Sequence, residues 1–389
     1  MQKLYSFVLV TFLASSGGPA FADDANHATA NPDPDLAAAE EQGRQFDQAQ
    51  SRTARWLLEH NDPRKRAAGL LYSVSQSGML EAQAAMVERA TTNEHLQEYD
   101  SIRQSALDAL DRAEARNEDL PALEPAELLD RFEKAVRTTT DGAALAWLAT
   151  ACATADIETF CIDAGLDDTI VRHDGANLLS RLTLVPDAEA GTSERLIIEA
   201  ENTRNYASQL TAVWFEALDE GPGAAVLTRP DLKLTAAFSI SMAYGIPAYG
   251  PVIKACQEEI TPGGELDKAC GRIADRMISD SQTLIGQLMG YSLASSRAEA
   301  RGDQATVALL EQRKVFERAV NSCRATALTD DLENIDESDA RNFMEMLGKH
   351  GEIEAWARLA AQHDIDCSNP DDPTADAMEE YARELEGDS

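Results

Sequence analysis

Six cysteines are the residues of this chain best placed to do chemistry. Cys152 and Cys161 stand nine residues apart, Cys256 and Cys270 fourteen, and Cys323 and Cys367 forty-four. None of these spacings is the C-x-x-C of a thiol redox centre, a haem attachment or a zinc ribbon. An even set with local spacings reads instead as structural disulfides paired in chain order, Cys152–Cys161, Cys256–Cys270 and Cys323–Cys367. Such bridges persist where the surroundings are oxidising, so the chemistry of the cysteines points away from a reducing cytosol.

The other reactive side chains are scattered. His27, His60, His95, His173, His350 and His363 form neither H-E-x-x-H nor H-x-H. His60 and His350 fall at predicted helix ends, where the helix dipole favours a cation. Asp330, Asp331, Glu333, Asp336, Glu337 and Asp339 crowd together before a helix, but the glycine and glutamate of a calcium loop are missing from that frame. The nucleophile elbow G-x-S-x-G, the S-x-x-K pattern and the P-loop do not occur. Gly221-Pro222-Gly223 is a poor phosphate cradle, because proline removes an N–H that would face the anion. The sequence therefore assigns no catalytic residue, no metal ligand set and no cofactor.

One segment has the composition of a binding loop. Tyr244-Gly-Ile-Pro-Ala-Tyr-Gly-Pro251 holds two tyrosines, two glycines and two prolines between apolar helices. Tyr244 and Tyr249 could line a ligand groove as amphipathic contacts. A rigid turn with both rings packed on its flanks is the alternative.

Elements must position these residues, and they are helical. Leu128, Leu129, Phe132, Ala135 and Val136 follow helical spacing, as do Ile353, Trp356, Ala357 and Ala360. Asp62-Pro63, Thr261-Pro262 and Asp372-Pro373 place a capping side chain before a proline, and Ser279 with Gln282 fits a capping box. The fold class expected is all-α: antiparallel helix pairs stacked as an irregular α-solenoid, or two helical lobes clipped by local disulfides. The widest break, Asp219 to Pro230, suggests an N-terminal lobe over 35–220 and a C-terminal lobe over 231–389. Tryptophans 56, 147, 214 and 356 sit on apolar helix faces and read as core.

The segment LASSRAEARGDQATVALLEQRKVFERAV (293–320) resembles a tetratricopeptide-like helical repeat. Ala298, the Gly302-Asp303 turn, Leu310 and Ala319 fall where a helix-turn-helix unit places small or apolar residues. The match covers under a tenth of the chain and lacks that family's Trp-x-x-Leu-Gly-x-x-Tyr opening and its closing proline. The style of the whole chain is also similar to exported bacterial all-helical proteins. Neither likeness carries catalytic residues.

Residues 1–22 read as a cleaved signal peptide, with Lys3, an apolar run from Leu4 to Leu13 and a small-x-small site at Ala20-Phe21-Ala22. Residues 23–34 read as a polar tether. The expected location is the periplasm or the medium, and no later stretch reaches the ~20 apolar residues of a membrane span. A net charge of -34 disfavours nucleic acid and anionic lipid and favours a basic protein or peptide as partner. The sequence thus anticipates an exported, acidic, non-catalytic helical protein acting as an interaction or scaffold module in the cell envelope. The alternative is an exported hydrolase whose site is assembled from distant helices.

Overall fold

The computed structural model describes residues 34–75, 125–154, 158–183, 190–244, 249–258, 261–329 and 335–368. The signal peptide, the tether up to its last residue, residues 245–248 of the 244–251 loop and the Asp372-Pro373 start lie outside the described residues. The fold is all-α. Its first helices are α1 (Pro34–Glu59), α2 (residues 63–75), α3 (Pro125–Thr138), α4 (Gly142–Thr154), α5 (Glu158–Asp163) and α6 (Leu166–Asp174). There follow α7 (Leu178–Thr183), α8 (Ala190–Glu199), α9 (Ala207–Glu220), α10 (Pro230–Tyr244) and α11 (Gly250–Glu258). The last are α12 (Glu265–Asp280), α13 (Leu284–Ala300), α14 (Gln304–Thr329), α15 (Glu337–His350) and α16 (Glu352–Gln362). A single 3-10 turn, Pro222–Ala225, separates α9 from α10.

Short polar side chains start several of these helices by accepting orphan backbone N–H groups. Asp62 Oδ1 accepts from Arg64 N at 2.7 Å, Asp141 Oδ1 from Ala144 N at 3.0 Å, and Asp336 Oδ1 from Asp339 N at 2.8 Å. Two expected starts are displaced. α12 begins at Glu265 behind Gly264, beyond the Thr261-Pro262 pair, because residues 261–264 form a turn with Gly263 at φ +80°. Ser279 lies inside α12, and the cap of the next helix is Thr283, whose hydroxyl accepts from Gly286 N.

Buried side chains gather into two cores. The first draws on α1 to α6, α9, α10, the end of α14, α15 and α16. The second draws on α7, α8, α11, α12 and α13. The chain therefore visits each core more than once. The Asp219 to Pro230 connection packs on the first core through Leu227 and the 3-10 turn on α1, with Pro222, Ala225, Thr228 and Arg229 left exposed. Neighbours in sequence pair where α12 meets α13 and α13 meets α14, but α9 packs on α15 and on α1, far away in the chain.

With few aromatics, the large rings are concentrated at helix junctions. Phe343 and Trp356 lie 4.7 Å apart, and Phe238 stacks on Trp356 at 6.3 Å, which ties α10, α15 and α16 together. Trp214 is fully buried, with Tyr72 5.2 Å away. Each such ring removed from water contributes about 1.5–3 kcal/mol.

All three expected disulfides are formed. Cys152–Cys161 joins α4 to α5 and Cys256–Cys270 joins α11 to α12. Cys323–Cys367 ties α14 to the strand of chain leaving α16. Among the described residues no helix is long and apolar enough to cross a membrane.

Candidate functional site

Tyr244 and Tyr249 sit in separate cores. Tyr244 closes α10, is 6% exposed and meets Tyr72 edge-on at 6.1 Å in the first core. Tyr249, 7% exposed, belongs to the second core, and its hydroxyl accepts from Asn205 Nδ2 at 3.1 Å. Burial pushes the Tyr249 phenol up to about 12. The loop's composition suggested an exposed lip, but a buried phenol needs an internal partner and Asn205 supplies it.

Asn205 also donates to Thr283 Oγ1 at 3.2 Å, and Leu284 N donates to Glu352 Oε2 at 3.1 Å. Asn205, Tyr249, Thr283 and Glu352 form a polar seam where α16 of the first core meets the start of α13. Burial raises the Glu352 pKa, against the opposing hydrogen bonds from Leu284 N and the Trp356 side chain. A raised folded-state value favours the protonated form. Stability from this group is full below the ordinary glutamate pKa of about 4.3 and is lost as pH rises through the raised value. Glu352→Gln keeps an acceptor for Leu284 N and removes the charge. It is expected to unfold at higher denaturant than the parent at neutral pH, with the difference closing as pH falls towards about 4. Equal midpoints at both pH values would refute the assignment.

The four described histidines fall at four separate helix ends. His60 follows α1, His173 is in the last turn of α6, His350 ends α15 and His363 caps α16. His60 is further held by its own turn, its Nδ1 accepting from Asp62 N at 3.0 Å. Among the described residues no group of three or more His, Cys, Asp or Glu is placed to hold a metal ion.

Among the described residues, an open concavity with converging polar groups is a groove of about 380 Å³ between the start of α2, α9 and α15. Its floor is apolar, from Ala212, Val213 and Phe215 of α9 and Met344 of α15. Gly348 sets its depth, since a Cβ there would stand 2.9 Å from the Ala212 Cβ and force the helices apart. The rim carries both signs, with Glu216, Glu220 and Glu345 beside Arg64, Arg341 and Lys349.

Beneath the rim the buried carboxylate Asp219 gathers an ion cluster. Asp219, with a side chain 3% exposed, receives Lys233 Nζ at 2.5 Å and Arg341 Nε at 2.6 Å. Burial opposes ionisation of Asp219, but the Lys233 and Arg341 hydrogen bonds outweigh it and hold its carboxyl below the usual range. Lys65 Nζ reaches Glu216 at 2.9 Å while lying over the Trp56 ring at 5.1 Å. These pairs join α2, α9, α10 and α15 and orient the groove walls. Sequence reading missed them because Asp219 meets a lysine on the next helix and an arginine more than a hundred residues away. The local signal was limited to Glu337–Arg341 and Glu345–Lys349, whose i,i+4 spacing marks an ion-laced face of α15.

No protein-family model matches the chain, and neither does any curated protein or solved structure. The class is therefore set by its own architecture, a disulfide-braced all-α protein with two interleaved cores and a charged, apolar-floored groove.

Proposed function

We propose that the protein is an exported, non-catalytic interaction module that holds a basic, amphipathic segment of a partner protein in the groove between α2, α9 and α15. The observation that carries this reading is an apolar floor of Val213, Phe215 and Met344 under a rim of both signs, in which Glu216, Glu220, Glu345 and the deeper Asp219 outnumber Arg64, Arg341 and Lys349. Apolar side chains of a partner would fill the floor while its lysines or arginines meet the rim, and the net charge of -34 would steer it in. Walls braced by the buried Lys233–Asp219 pair lose little entropy when a ligand settles. Three disulfides suit an oxidising compartment, which with the leader sequence supports the periplasm or the medium as location.

The test is calorimetric titration of the oxidised chain with a short peptide of alternating leucine and lysine. Binding is expected, weaker at high salt, and weaker by about fivefold in the Glu220→Gln, Glu345→Gln double variant. A peptide that fails to bind, or that binds the double variant equally well, sinks the groove as the site.

A further inference from the structure

α14 carries an apolar stripe broken at Gln312, and among the described residues its second half is buried while its first half is exposed. Helical periodicity puts Ala305, Leu309, Phe316, Val320, Cys323 and Ala327 on one face. Val320 and Ala327 are buried, whereas Leu309 is 58% exposed and Phe316 39% exposed. Ala305 and Gln312, on the same face, are also exposed. Large apolar side chains aligned one above the other on a helix mark a surface that something covers. α14 is also locally basic in an acidic protein, with Arg313, Lys314, Arg318 and Arg324 against Glu311 and Glu317.

The chain itself comes back to this stripe. Cys367 is bonded to Cys323, with Cα atoms 5.8 Å apart, on the same face as Phe316 and seven residues further along. Seven helical residues are about 10 Å. Residues 369–389 lie outside the described structure, but their sequence fits what the stripe lacks. Asp372-Pro373 is a helix-start pair, and Met378, Tyr381, Ala382 and Leu385 follow the spacing i, i+3, i+4, i+7. The segment holds eight acidic residues and a single basic one, Arg383. From Thr374 to Leu385 a helix rises about 16 Å, the same rise as from Ala305 to Phe316.

We propose that the segment following Cys367 docks as an amphipathic helix along the uncovered half of α14. It runs antiparallel to α14, with Met378, Tyr381 and Leu385 over Leu309 and Phe316 and its carboxylates towards the Arg313 edge. The disulfide anchors the start of the segment beside α14, so this intramolecular association proceeds at an effective concentration of about millimolar. A second copy of the chain is the poorer occupant, because it brings a net charge of -34 against a protein of the same sign.

Amide hydrogen exchange over residues 304–318 of the oxidised full chain tests the assignment. Two variants are compared with it, a chain ending at Ser368 and the full chain carrying Met378→Glu and Leu385→Glu. Both are expected to exchange about tenfold faster or more in 304–318, with α15 unchanged. A synthetic peptide of residues 369–389 is expected to restore protection to the shortened chain. Unchanged exchange in both variants overturns the proposal. A full-length dimer that Leu309→Glu splits, and that the two tail variants leave intact, also overturns it and gives the face to a second copy.

Discussion

Replacing Asp267 with alanine lowers the unfolding free energy by about 3–5 kcal/mol, the cost of leaving a buried charge partner alone. Asp267 sits in the first turn of α12 with its side chain 3% exposed. It accepts from Arg297 Nε at 2.9 Å, from Arg301 Nη2 at 2.8 Å and, reaching back, from Gly263 N at 2.9 Å. A carboxylate at one helix start thus holds two guanidinium groups at the end of α13, where both helix dipoles favour those signs. Gly271 leaves the room, since a Cβ there would collide with the Arg297 guanidinium.

Burial opposes ionisation of Asp267, but the Gly263 N–H, Arg301 and Arg297 outweigh it and lower the carboxyl to about 2. The folded-state value is depressed, so its stability is present above the unfolded aspartate pKa of about 3.9 and is lost as pH falls through about 2. The alanine variant should therefore lose stability less steeply than the parent in that window. Denaturant unfolding at neutral pH and at about pH 3 reads both effects. A loss under about 1 kcal/mol would show a solvated pair of the kind common on surfaces.

The second large effect belongs to Cys323–Cys367. Changing both residues to serine is expected to cost about 4 kcal/mol, because the bridge closes the longest of the three disulfide loops. The same treatment of Cys152–Cys161, which closes a loop of sequence separation 9, costs about 2.5 kcal/mol in the same chain-entropy view. The order matters more than the sizes. If removing the short loop costs more, the bridges act through native packing of α4 and α5 and not through the unfolded chain. Cys323 and Cys367 are also partly exposed, whereas the other four cysteines are buried. Mild reductant should open Cys323–Cys367 first, read by mass mapping of alkylated thiols.

The elements that sequence reading recovered are those with short-range causes. Asp62 caps the helix beginning beside it, and Leu128, Phe132, Ala135 and Val136 are buried at the spacing that predicted them. The disulfides were legible because two of the three close short loops. Ser279 failed as a cap because the same hydroxyl-plus-Gln spacing occurs inside a helix that runs on to Asp280. Tyr249 was noticed for its setting, but its partner Asn205 is supplied by another part of the chain. The groove was invisible for the same reason. Lys233 looks like an ordinary charge between Leu232 and Leu234, and only tertiary packing on Asp219 and Glu337 makes it a buried structural cation.

The interleaving of the two cores bears on how such a chain is made. Helices α1 to α6 wait for α15 and α16 to complete their shared interior, while α7, α8 and α11 to α13 close a separate one in between. A growing or threading polypeptide would therefore expose unsatisfied apolar faces until nearly all of it had emerged. Among the described residues, a cut between Asp219 and Pro230 would divide both cores, so each half alone is expected to fold poorly and the two halves together to reassemble.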